Sequence, residues 1–129
     1  MKGSKEDLIK YRLQRAKDTY EDAQILAERQ KWNSTVNRLY YSAFYAVMAL
    51  LIHSDLSPTT HNGTQSNFSE HFIKTGRIPI GFGKSYSQLF AWRLKGDHAD
   101  LFDFEEGKVI PFFEPVKKLI DLIEGMVTV

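Results

Sequence analysis

There is no cysteine among the 129 residues, and that one absence removes a disulfide framework, a thiolate zinc site and a cysteine nucleophile together. It also makes a reducing, cytoplasmic setting the expected one. Charge of one sign is missing too: 17 Lys and Arg stand against 16 Asp and Glu, for a net of +1. No molecule-wide field draws in nucleic acid or an anionic membrane, so any RNA site has to be local. The longest apolar run, Leu39 to Ile52, covers 14 positions with only Ser42 clearly polar, whereas crossing a bilayer takes roughly 18 or more. It reads as a buried helix, with no membrane role. The amino terminus, Met1 to Asp7, turns charged at once and lacks the apolar core of a secretory signal.

What is present is ordinary globular material: 43% hydrophobic and 26% charged residues with 9 Phe, 6 Tyr and 2 Trp. That excludes disorder, collagen and a bare coiled coil, and the length predicts one domain spanning 1–129. Ser4-Lys5-Glu6-Asp7 has capping-box spacing, and Ile9, Leu13, Ala16, Tyr20, Ala23 and Ala27 then step by four and three along a first helix. The mixed charges on its other faces read as solvated surface. Asn33, Ser34 and Thr35 are N-cap candidates for a second helix that is apolar nearly all round from Val36 to Leu51. Such a helix is either the centre of a bundle or one side of a subunit contact, and a homodimer is expected.

After a loop around Pro58, Asn62 or Thr64 can cap a short third helix carrying Phe68, Phe72 and Ile73, with Gly76 placed to end it. Arg77 to Gly83 reads as a second loop, Ser85 to Lys95 as a fourth helix, and Gly96 as its stop. Pro111 and Pro115 suit a first turn, beyond which Val109, Phe113, Val116, Ile120, Ile123 and Val127 mark a last helix. No period-two segment is long enough for a sheet. The expected fold is all-α, an up-and-down bundle of about five helices.

Several possible chemistries dissolve on inspection. His53, His61, His71 and His98 are spaced by eight, ten and 27 residues, so no pair lies one helical turn apart, and no metal or other cofactor is expected. His61 reads as a brace for the loop before the third helix. Gly81-Phe82-Gly83-Lys84-Ser85 is superficially similar to a phosphate loop but lacks the preceding strand and the full spacing; a turn is the better reading. There is no Gly-x-Ser-x-Gly elbow. Tyr40, Tyr41, Phe44 and Tyr45 read as core or dimer contact rather than as a base-stacking platform.

The segment Arg93-Leu94-Lys95-Gly96-Asp97-His98-Ala99-Asp100 is different, because it gathers a guanidinium, an imidazole and two carboxylates at a helix end. Arginine offers a planar fork of donors matched to phosphate, and histidine exchanges a proton near neutral pH. Taken by itself the segment also reads as a solvated helix end with Lys95 favourably placed at the macrodipole. Arg38, Lys84 and Lys95 are further basic residues that a phosphate backbone or nucleotide could use, and Asp97 or Asp100 could orient the imidazole.

Three stretches carry a resemblance to a known family. Asn37 to Ala46 resembles the aromatic second helix of the HEPN domain, a small all-helical family named for higher eukaryotes and prokaryotes nucleotide-binding. Thr60-His61-Asn62-Gly63 through Lys74-Thr75-Gly76 resembles a short-protein branch of it, and Arg93-x4-His98 fits the Arg-x4-6-His signature. The resemblance covers essentially the whole chain. It implies a dimer whose two motifs face each other in a cleft and, in active members, cut RNA without a metal. Many prokaryotic members are toxins encoded beside a minimal nucleotidyltransferase that neutralises them; others only bind nucleotides or that partner. Position 100 is Asp where some of these toxins carry a modifiable Tyr.

On those terms the expected function is an endoribonuclease toxin in which Arg93 stabilises charge on phosphate and His98 serves as general acid or base. The alternatives are a non-catalytic HEPN nucleotide-binding or nucleotidyltransferase-binding module, and a helical dimer with no nucleic-acid role. On one continuous helix Arg93 and His98 stand about 140° apart. Either the helix breaks at Gly96 or a second subunit supplies the complementary group.

Overall fold

Ser4 caps the first helix as the sequence predicts: its side chain accepts a hydrogen bond from the Asp7 amide at 3.1 Å at the start of α1, Lys5–Glu28. A computed structural model describes residues 4–98 and 103–127, leaving the side chains of 96–98 outside the description. α1 is followed by α2 (Trp32–His53), α3 (His61–Phe68), a π turn (Ser69–Ile73) and α4 (Ile80–His98). A four-residue α5 (Glu106–Val109) and a 3-10 turn (Ile110–Phe112) lead into α6 (Phe113–Val127). With α5 and the 3-10 turn counted as the lead-in to α6, this is an all-α bundle of five helical units, with no strand among the described residues.

α1 and α2 form the most extensive helix pair. They run antiparallel, as the bonds Lys5–Asp55 and Ser42–Ala16 show. Ala16 and Ala23 of α1 and Ala46 and Ala49 of α2, one and two turns on from Ser42, are all 0% exposed. Small side chains let the two backbones approach, and the buried Ser42 hydroxyl spans the gap by donating 2.7 Å to the Ala16 carbonyl. α4, α6 and α3 cover the rest of α2. Hence its unusual composition: most of the helix is buried, and its one half-buried face, with Tyr41, Phe44, Tyr45, Met48 and Ile52, is itself aromatic and apolar.

Both ends of this hairpin close with the same device. Lys31 N–H bonds the Leu26 carbonyl and Gln30 N–H that of Ala27 at the end of α1, and Leu56 and Asp55 repeat the pattern on Leu51 and Ile52. These are Schellman caps with Gln30 (φ 58°) and Asp55 (φ 62°) in the left-handed position where glycine is commonest. Lacking the glycine signal, neither end is legible from composition.

Three boundaries depart from expectation. α2 starts at Trp32, before Asn33, Ser34 and Thr35, whose side chains do other things: Thr35 donates back to the Lys31 carbonyl, and Asn33 accepts the Phe104 amide at 2.8 Å, tying the 103–104 segment to α2. α3 is capped by Thr60 rather than by Asn62 or Thr64, its hydroxyl accepting from Gly63 N–H at 2.8 Å. α4 absorbs most of the expected loop and passes through Gly96 to His98. Gly83 is a packing residue there. A Cβ on it would lie 3.0–3.2 Å from three carbons of Ile73, so its absence lets the start of α4 close on the π turn. Gly76, at φ 76°, does end the α3 unit.

Candidate active site

The site grows from the aromatic run of α2. Tyr40 is fully buried, and its ring stacks on Phe44, Tyr86 and Phe90 at centroid distances of 5.9, 5.7 and 5.6 Å. α4 delivers Tyr86, Phe90 and Arg93 to this point because they step by four and three along one face. The half-buried Arg93 guanidinium lies over three rings, with Cζ 5.2 Å from Tyr40, 5.7 Å from Tyr41 and 5.9 Å from Phe90, and Nη1 donates to the Tyr41 hydroxyl at 3.4 Å. Cation–π contacts of about 0.5–2 kcal/mol each hold a donor-rich cation in one orientation. Such an arrangement suits recognition of phosphate or a developing oxyanion.

α3 brings an imidazole to the same rings. His61 is the first residue of α3, placed by the Thr60 cap, and its ring lies 4.6 Å from Phe44, 5.7 Å from Tyr40, 5.8 Å from Tyr41 and 6.3 Å from Phe90. Nδ1 is 2.7 Å from the Tyr40 hydroxyl. Burial pushes the imidazole pKa below its usual value, and the Arg93 charge pushes it the same way, so His61 is neutral at pH 7. Burial likewise drives Tyr40 up to about 12 and Tyr86 well above the ordinary phenol value; both remain protonated donors. A Tyr40–His61–Arg93 group thus joins α2, α3 and α4. Sequence reasoning treats His61 as a loop brace, although the capped Thr-His-x-Gly turn facing an aromatic helix was the available signal.

Arg38 belongs to this surface: its guanidinium lies 5.2 Å from the Tyr41 ring and bonds the Asn37 side chain. Tyr45 continues the row 6.1 Å from Tyr41, and Arg15 of α1 stacks on Tyr45 at 5.0 Å while bonding its hydroxyl. Lys84 and Lys95 lie elsewhere. Counting about 100° per residue places each roughly 160–180° around α4 from Arg93, and exposed Lys84 lines a groove with Gln65 and Ser87 between α3 and α4. His98 is the last residue of α4; its side chain and that of Asp97 lie outside the description, and Asp100 lies outside the described residues. Because α4 does not break at Gly96, positions 93 and 98 remain about 140° apart around its axis. Among the described residues no three His, Asp or Glu side chains gather as a metal site would require.

The family profile of the HEPN domain matches residues 9–126. The chain belongs to the HEPN domain family. A "UPF0332 protein" of Thermotoga maritima is 37% identical over 123 residues, covering 95% of this chain and 93% of its own. A second protein of that name, from Gloeobacter violaceus, is 34% identical over 86 residues, covering 67% of this chain and 68% of its own. A Methanocaldococcus jannaschii protein, named as a candidate toxin, is 28% identical over 86 residues, covering 67% of this chain and 58% of its own. This HEPN protein is therefore related to candidate toxins, and no helix among its described residues is long and apolar enough to cross a membrane.

Proposed function

We propose that this HEPN protein is the toxin component of a toxin–antitoxin pair, a homodimer that cleaves single-stranded RNA without a metal ion, and that a minimal nucleotidyltransferase is its neutralising partner. The observation that carries the reading is the Arg93 guanidinium, fixed over Tyr40, Tyr41 and Phe90 at the family's signature position. Its kinship to candidate toxins supports the biological half. The continuous α4 supports the dimer, since one helix keeps positions 93 and 98 apart and a two-fold partner offers the complementary one. Leu94, 40% exposed beside Arg93, gives a second copy apolar surface to cover.

In the mechanism that follows, a general base removes the proton of a ribose 2′-hydroxyl, and the oxygen attacks the adjacent phosphorus. The 5′-oxygen leaves with a proton from a general acid, giving a 2′,3′-cyclic phosphate and a 5′-hydroxyl. His98 takes the base or acid role, with Asp97 or Asp100 orienting it, and Arg93 stabilises the charge that grows on the non-bridging oxygens. Arg38 holds a neighbouring phosphate.

Incubating the purified protein with single-stranded RNA and excess chelator tests this. Wild type should give cyclic phosphate ends, and Arg93→Ala and His98→Ala should each lose at least 100-fold in rate, on the order of a lost acid, base or oxyanion donor. No cleavage, or cleavage indifferent to both changes, would leave a non-catalytic nucleotide- or partner-binding module.

A further inference from the structure

Building on the reading that Arg93 meets a phosphodiester, we propose that His61 completes a two-donor phosphate site with Arg93, presenting the N–H of Nε2, and that Tyr40 is the positioning residue that fixes its tautomer. The hydrogen-bond geometry imposes the tautomer. The Tyr40 hydroxyl always carries a proton, and His61 Nδ1, 2.7 Å away, is its acceptor. Were Nδ1 protonated, two hydrogens would face each other, or the Tyr40 proton would have to turn to the neighbouring Tyr86 hydroxyl, whose own buried proton would then have no acceptor. The proton of the neutral ring therefore sits on Nε2, and among the described residues Nε2 has no hydrogen-bond partner.

The groups facing the ring agree with a neutral donor. From α2 come the Tyr40 hydroxyl and the Tyr41 ring, and from α4 the Arg93 cation, whose charge opposes protonation of the imidazole. The partly exposed ring lies against Phe44, Tyr41 and Phe90, and the guanidinium lies against the last two, so both groups border one patch of surface. A charged fork and a neutral N–H side by side match two non-bridging oxygens of one phosphodiester. A neutral Nε2–H is an unsuitable base. The proton acceptor in RNA cleavage then has to be another group, which separates the duties of the two histidines.

A 2′-O-methyl tetranucleotide, which binds as RNA does but carries no 2′-hydroxyl to attack, is the probe. Long-range proton–nitrogen spectra of the free protein at pH 7 should show His61 protonated at Nε2 and unprotonated at Nδ1. Tyr40→Phe should mix the tautomers. His61→Ala should weaken tetranucleotide binding about tenfold, while His61→Gln, whose amide N–H can stand near Nε2, should recover most of that loss. A proton on Nδ1, or equal loss in the Gln and Ala variants with both folded by circular dichroism, overturns the proposal. Tetranucleotide binding that depends on His61 without any RNA cleavage would keep the phosphate site and reject the nuclease.

Discussion

His61 and Tyr40 couple chemistry to stability through one 2.7 Å contact. Because burial and then Arg93 lower the His61 pKa, the unfolded chain binds a proton in a pH range where the folded one does not. The stability involved is present above the ordinary imidazole value of about 6.5 and is lost as pH falls through it toward the folded pKa. The urea midpoint of wild type should therefore drop more between pH 7.5 and pH 5.5 than that of His61→Gln; equal drops would show that His61 titrates normally. Tyr40→Phe should cost about 1–3 kcal/mol at pH 7, since it leaves the His61 acceptor in a largely apolar setting. Arg93 was singled out in the sequence by the resemblance to the Arg-x4-6-His signature, since taken by itself the segment also reads as a solvated helix end. His61 was not, since its meaning depends on a tyrosine 21 positions earlier that only packing brings to it.

Where helices run and which face they bury was readable from periodicity: Ile9, Leu13 and Ala16 on α1 and Val116, Ile120 and Ile123 on α6 are all buried as their four-and-three steps require. Where helices end was less so. The α1–α2 turn places a glutamine in a left-handed conformation, for which no composition cue exists, and the glycines at 81, 83 and 96 looked like breakers but lie inside α4. At Gly83 a contact with Ile73 explains the residue; at Gly81 a Cβ would meet only open space. Gly81→Ala should accordingly stabilise the fold by a few tenths to about 1 kcal/mol by urea denaturation, and Gly83→Ala by less, with the difference recovered in an Ile73→Ala background, which removes all three contacting carbons. Gln30→Gly should stabilise by up to about 1 kcal/mol, since left-handed geometry costs a non-glycine residue roughly 1–2 kcal/mol and the more flexible unfolded chain offsets part of the gain. Destabilisation by Gln30→Gly would mean that the cap is held by its side chain instead.

Near-neutral net charge leaves binding to a local surface, and the row from Arg93 through Tyr41 and Arg38 to Tyr45 and Arg15 is one that alternates cations with rings. Arg15→Ala should then weaken binding of the 2′-O-methyl tetranucleotide only mildly and reduce its dependence on salt, while Lys84→Ala, on the far side of α4, should leave both unchanged. The bundle was foreseeable because α2 is too apolar to stand at a surface. The proposed dimer rests on α4: positions 93 and 98 diverge on that unbroken helix, so the proposed site needs residues from two chains, and the solution mass should be about twice the 14.9 kDa of one chain. The most direct test mixes two inactive proteins. Arg93→Ala and His98→Ala subunits, refolded together at equal ratio, should recover about a quarter of wild-type RNA cleavage, because half of the dimers are mixed and each of those carries one intact site. A mixture that stays as inactive as its components, beside an active wild type, would contradict a site shared between subunits.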